Sequence, residues 1–252
     1  MNFFKRKNIS KTLTVLLFFI FFSNAIAQNF KGRATYASYR KSKIKMDTLK
    51  YDQKTINIFK KSFEDFYRKE YVLEFEKSKS LFSEQKKITL QKAVAYSNDK
   101  LYKDLNSKLY THKTELLGKK FLIKDSIKIK EWFLINETKR IGKYMCTKAV
   151  CNRKINNSLE TVTAWFTTEI PISNGPANYD GLPGLILQLD DGTYNYLVKE
   201  IVLTNTITNL KAPKGGKVVS QNDYDRILKE KQKNGLRRAA DLRKGAESSR
   251  NN

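Results

Sequence analysis

The chain has 252 residues, and its 49 Lys and Arg against 25 Asp and Glu give a formal net charge of +24 at neutral pH. With 12% aromatic residues, only 4 prolines and 2 cysteines, it is neither a disordered tail nor a disulfide-built miniature scaffold. A chain of this length can bury one sizeable core.

Lys5, Arg6, Lys7 and Lys11 precede an apolar run from Leu13 to Phe22, and Ala25-Ile26-Ala27 supplies a small-x-small cleavage site. Residues 1–27 are therefore expected to be a signal peptide, with Gln28 opening the mature chain. The apolar run is about half of the ~20 residues a spanning helix needs, so no transmembrane span is expected after cleavage. Losing four basic and no acidic residues lowers the charge only from +24 to +20. Outside the cytoplasm such a charge faces anionic envelope surfaces, acidic glycans or acidic proteins, not nucleic acid. Scattered lysines are equally compatible with a merely solvated surface.

A loose alternation over residues 30–40 reads as the first strand. From Lys54 to Tyr67 the spacing of Ile56, Phe59, Phe63 and Phe66 predicts a helix with one face on a sheet. The period then switches to two, with Tyr71, Leu73 and Phe75 on one side of a strand. Residues 83–106 are polar and lysine-rich, with a β-like piece around Ile88 to Tyr96, and read as a variable hairpin or loop. Strands are predicted at Leu109 to Leu116, Lys120 to Ile123 and Lys128 to Ile135. A hairpin follows, pairing Tyr144 to Cys151 with Glu160 to Thr167 across the polar connection Asn152 to Leu159. Asp191-Gly192 predicts a two-residue turn that sets Leu189 opposite Tyr194, Leu187 opposite Tyr196 and Leu185 opposite Val198. Beyond Thr208, Lys211 to Lys217 reads as a linker. Ser220 with Asp223 resembles a helix cap ahead of Tyr224, Ile227 and Leu228, and a basic tail follows.

One string is specific enough to name relatives. Gly181-Leu182-Pro183-Gly184-Leu185-Ile186 follows Trp132, Ile141-Gly142-Lys143-Tyr144, Cys146 to Ala149, Ala164 to Thr167, Ile170-Pro171-Ile172 and Gly175-Pro176. Together these resemble the signature of the GLPGLI family of exported proteins from Bacteroidota, over roughly residues 130–205. The resemblance implies an exported relative and carries no assigned biochemical activity.

Side chains able to do chemistry are few. His112 is the single histidine, mid-strand, with no nucleophile-elbow glycines anywhere. Glu169, Asp180, Asp190 and Asp191 lie near the signature and could serve a hydrolase acting on an envelope polymer, but Asp180, Asp190 and Asp191 are also ordinary turn formers. No metal-ligand spacing appears and no cofactor motif is present. Cys146 and Cys151 would bridge only if the chain turned between them, because in a straight strand they stand about 17 Å apart on opposite faces. Trp132, Trp165, Tyr179, Tyr194 and Tyr196 could line a cleft for an apolar ligand or could fill the core.

The sequence thus leads to an α+β fold, a predominantly antiparallel curved β-sheet, open like a half-barrel, with one or two packed helices. A signal peptide (1–27), a β-rich domain (28–210) and a basic linker with a C-terminal helix or tail (211–252) are expected. Function is read as a non-catalytic binding or accessory module in the periplasm, at the outer membrane or secreted, serving a periplasmic or outer-membrane partner protein; the hydrolase is the alternative.

Overall fold

The computed structural model describes residues 31–41, 50–85, 99–155, 158–204 and 210–248. The expected signal peptide and the β-like piece around Ile88 to Tyr96 lie outside them. The elements run β1 (Lys31–Arg40), α1 (Gln53–Phe66), β2 (Lys69–Glu76), β3 (Lys79–Glu84), β4 (Lys100–Asp104), β5 (Leu109–Leu116), β6 (Lys119–Ser126), β7 (Phe133–Ile141), β8 (Tyr144–Ile155), β9 (Ser158–Thr167), β10 (Leu185–Asp190), β11 (Tyr194–Leu203), β12 (Lys217–Val219) and α2 (Gln221–Ser248). All the described strands join one unclosed sheet in the order β12-β6-β5-β4-β3-β2-β1-β11-β10-β9-β8-β7. Pairing is antiparallel throughout except between β12 and β6. The α+β class with a large antiparallel sheet and two helices is therefore the observed one.

Register places one continuous apolar face across the strands. Ile123, His112, Leu101, Phe82, Leu73 and Ala34 follow one another from β6 to β1. Ser38, Tyr196, Leu189, Ala164 and Ala149 continue the same face from β1 to β8. Side chains alternate along each strand, so this row sets which residues of those strands point to the core wherever no bulge intervenes.

Neither helix fills the core. Asp52 caps α1 by accepting from Thr55 N at 2.6 Å, yet of its predicted apolar face only Ile56 is buried, and Phe59 and Phe66 are exposed. The first turns of α2 close one end of the core face, where Tyr224 meets the Phe121 ring at 5.4 Å. Ser220 caps that helix as expected, accepting from Asp223 N at 3.1 Å. The stretch read as a linker delivers the short parallel strand β12 just before it.

The irregular segment between β9 and β10 covers the core face instead. Ile170, Ile172, Asn174, Tyr179, Asp180 and Leu182 are all buried in it. Buried backbone must be paired, and here it is. Leu185 N donates to Ile170 O, Ile186 N donates to Asn174 O, and Tyr36 Oη donates to Ile186 O at 2.7 Å from across the sheet. The Asn174 amide donates to Ser80 Oγ at 2.7 Å, tying the segment to β3.

Three readings of strand geometry are corrected. The strand expected at Lys128 to Ile135 starts only at Phe133, because Lys130 and Trp132 direct their polar atoms to Asp180. β8 and β9 run on through most of the supposed polar connection, to Ile155 and from Ser158. In the last hairpin Leu189 stands opposite Tyr196, two residues from the expected register. Asp191 causes that slip. Its Oδ1 accepts from Thr193 N at 3.0 Å and Tyr194 N at 2.8 Å, and its own N–H donates to Tyr194 O, so the turn opens to four residues. A bulge at Leu187 then breaks the shared face expected for Leu185, Leu187 and Leu189, although all three are fully buried.

Candidate functional site: a two-lobed tyrosine groove

Two cavities open where the covering segment meets β11. The first, of about 570 Å³, is bounded by Tyr179, Arg153, Asp191 and Lys130. The second, of about 330 Å³, is bounded by Tyr71, Phe82, Tyr110, His112, Asp99 and Gln221. Both share Ala177, Asn178, Tyr194 and Tyr196 as a common wall. Each volume is of the size that encloses a small organic ligand.

Strand alternation supplies the aromatic lining. Tyr71 stacks on Phe82 with ring centroids 4.9 Å apart, and Tyr196 meets both edge-on at 6.0 and 6.1 Å. Tyr194, two residues along β11 and half exposed, extends the cluster at 6.1 Å from Tyr196. Burial pushes the hydroxyls of Tyr71, Tyr179 and Tyr196 well above the ordinary tyrosine range, so these rings stay neutral. In the second lobe burial lowers the His112 pKa, opposed by the Asp99 charge, which favours a neutral imidazole.

Between the lobes stands a finger of the covering segment. Ala177 takes a φ of 51°, a region that a residue with a Cβ enters only when its surroundings hold it there. Asn178, exposed beside it, projects at the junction of the two cavities.

Charged groups under the finger hold it in place. Lys103 is fully buried and donates to Tyr179 O at 3.1 Å and Asp180 Oδ2 at 3.2 Å. Lys130 takes the other oxygen of Asp180 at 2.9 Å, and Trp132 Nε1 donates to Asp180 O at 2.9 Å. Burial lowers the Lys103 pKa to about 8, with Asp180 acting in the opposite sense. On the other flank Arg153 donates to Asp191 Oδ2 at 3.0 Å and Asp191 O at 2.7 Å, and Tyr179 Oη donates to the same carboxylate at 3.3 Å.

Of the five aromatic residues singled out from the sequence, Tyr179, Tyr194 and Tyr196 line the groove. Trp132 backs it, 6.5 Å from the Tyr179 ring. Trp165 does not reach it. Its neighbours Ala164 and Phe166 face the core, so Trp165 points to the opposite side, where Lys139 sits 4.1 Å over its ring. Tyr71, Tyr110, His112 and Arg153 join the lining without having been predicted there. Tyr110 and His112 share a strand face by simple alternation, which was a readable signal.

The loop acids are each held by partners of their own. Asp180 is held by two lysines, Asp190 pairs with Lys41, Asp191 pairs with Arg153, and Glu169 accepts from Met145 N at 2.8 Å. Cys146 and Cys151 are free, buried thiols of the one strand β8, with burial raising the Cys146 pKa to about 11. Among the described residues no group of three or more His, Cys, Asp or Glu is placed to hold a metal. No described helix is long and apolar enough to cross a membrane.

The fold and groove define the class, a large open antiparallel sheet whose core face is covered, among the described residues, by the irregular segment between β9 and β10. Within it, residues 152–188 match the model of a family described as "Protein of unknown function (Porph_ging)". That span holds Arg153, the covering segment and the hexapeptide. No curated protein matches the chain. Two solved structures of PNGF-II, in different space groups, are similar to it at 15% and 16% identity over 78% and 79% of this chain, with TM-scores of 0.53 and 0.52. The chain spans 32% of the length of each of them. At that identity the likeness describes the fold alone.

Proposed function

We propose that the protein is a binding module that takes an apolar, ring-bearing ligand in the tyrosine groove. The carrying observation is the pair of cavities, about 570 and 330 Å³, joined along Ala177, Asn178, Tyr194 and Tyr196. Neutral rings and a few fixed polar groups suit binding and orientation. The loop carboxylates are each committed to a cation or a backbone N–H, which favours binding over hydrolysis by paired acids.

The module belongs, in this reading, to the GLPGLI family and works in the envelope beside a periplasmic or outer-membrane partner. The basic n-region, apolar run and Ala25-Ile26-Ala27 support export. Sequencing of the chain recovered from an envelope fraction should then begin at Gln28, and retention of Met1 would end that part of the reading.

The groove is tested with N-phenylnaphthylamine, an uncharged apolar fluorophore. Asn178→Trp places a large ring at the junction of the lobes and should weaken probe binding about tenfold or more, with the unfolding midpoint unchanged. Undiminished binding in that variant would place the probe elsewhere.

A further inference from the structure

The long helix α2 has two unlike parts. At its start it is anchored, since Gln221 N donates to Asp125 Oδ2 at 3.0 Å and Tyr110 Oη donates to Gln221 Oε1 at 2.8 Å. From Lys229 to Arg238 every residue is exposed, whatever direction it faces. A helix without a packed side draws no stability from a core, so something else must hold it or use it.

Charge shows what that is. Residues 229–238 hold the five cations Lys229, Lys231, Lys233, Arg237 and Arg238 and a single anion, Glu230. At about 100° per residue, Arg226, Lys229, Lys233 and Arg237 fall within an arc of roughly 80° and extend some 16 Å along the axis. Lys229 with Lys233, and Lys233 with Arg237, are like charges at i,i+4, an arrangement unfavourable to an isolated helix. Asp223 pairs with Arg226 at 2.8 Å, and Glu230 lies at the rim of the arc. Beside Lys229, about 20° round the helix, Leu236 is 74% exposed. Cations and one exposed apolar side chain share a face.

We propose that this face of α2 docks on an anionic lipid bilayer, cations against headgroups and Leu236 against the headgroup boundary. The cation row removes its own repulsion by meeting lipid charge, and Leu236 adds a contact that a soluble polyanion would not offer. The anchored start of α2 also bounds the second lobe through Gln221, so docking would hold the groove near the membrane surface.

The test is flotation of the whole protein with vesicles of equal parts phosphatidylglycerol and phosphatidylcholine, compared with pure phosphatidylcholine. Each cation near an anionic surface contributes about fivefold, so Lys229→Gln with Lys233→Gln and Arg237→Gln should weaken partitioning on the order of 100-fold. Raising the salt concentration should weaken it likewise, and the charge-keeping pair Lys229→Arg with Lys233→Arg should bind as before. As a control, removing three exposed cations from α1, with Lys54, Lys60 and Lys61 each changed to Gln, should cost far less. Equal losses from the two triple variants would assign the binding to net charge and overturn the proposal. It would also fall if neutral vesicles bound as well, or if the protein bound dextran sulfate but no vesicles. These measurements read the helix and the fluorophore reads the groove, so either reading can fail without the other.

Discussion

The covering segment and the far part of α2 invert the usual relation between regularity and burial. Residues 170–184 contain hardly any repeating backbone structure, yet most of their side chains are inside. Residues 229–238 are regular helix and wholly outside. Burial here follows from paired polar groups, not from repeating secondary structure. The segment satisfies its carbonyls and amides with Asn174, Lys103, Trp132 and Ser173, each reaching a specific atom. The helix satisfies its own backbone, and apart from Leu236 its mostly charged and polar side chains have little to bury. Changes of similar size should therefore have very different consequences in the two regions.

The largest effect should come from Asp180→Asn. It removes the one anion between Lys103 and Lys130 and leaves Lys103, fully buried, with an uncompensated charge. Breaking such a buried pair costs about 3–5 kcal/mol. Urea unfolding at neutral pH should show it, and a loss below about 1 kcal/mol would mean that the Tyr179 carbonyl alone suffices for the ammonium.

Gly184→Ala should follow. Gly181 needs its glycine for a φ of +93°, but Gly184 needs its own for space, since a Cβ there would stand 2.0 Å from Thr167 O and 2.6 Å from the adjoining carbonyl carbon. Both obstacles are backbone, so β9 would have to move. A cost of about 3 kcal/mol is expected, and an unchanged thermal midpoint would show that the two chains can part freely.

Lys103→Met separates the charge from the packing. The folded pKa of Lys103, about 8, lies below its ordinary value of 10.5. A depressed group contributes stability that is fully present above the unfolded pKa and lost as pH falls through the folded one. Native protein should therefore gain about 3 kcal/mol over the Met variant between pH 8 and pH 10.5. Taking the difference between the two proteins cancels the opposing titration of the cysteines, whose pKa values are raised. Parallel stability curves would mean that Lys103 keeps its ordinary pKa in the fold, its charge well hydrated or fully compensated.

The strand pattern was largely legible because alternation is a local property. β5 lies where its sequence predicts, and Tyr71, Leu73 and Phe75 share the face that their spacing requires. Much of the groove was not. Nothing among 49 basic residues marks Lys103 as a buried one, since its partner Asp180 lies 77 positions away. Asp191-Gly192 has the composition of a tight turn, and only the capture of two N–H groups by the Asp191 side chain widens it. Trp165 stays outside the groove for a different reason, strand parity. Ala164 and Phe166 on either side already placed it on the other face.

The smallest effect is expected on the helix, and its smallness carries the contrast. Leu236→Gln replaces an apolar side chain that is 74% exposed and touches no buried neighbour of the core. Exposed substitutions away from packing lie within about 0.5 kcal/mol, and Leu and Gln have similar helix propensity. Global stability in urea should therefore stay within that range, while flotation with anionic vesicles should fall measurably, because only the docked state uses the leucine. A loss of stability above about 1 kcal/mol would show that the far part of α2 packs against the protein after all. It would then be a second covering segment and not an arm.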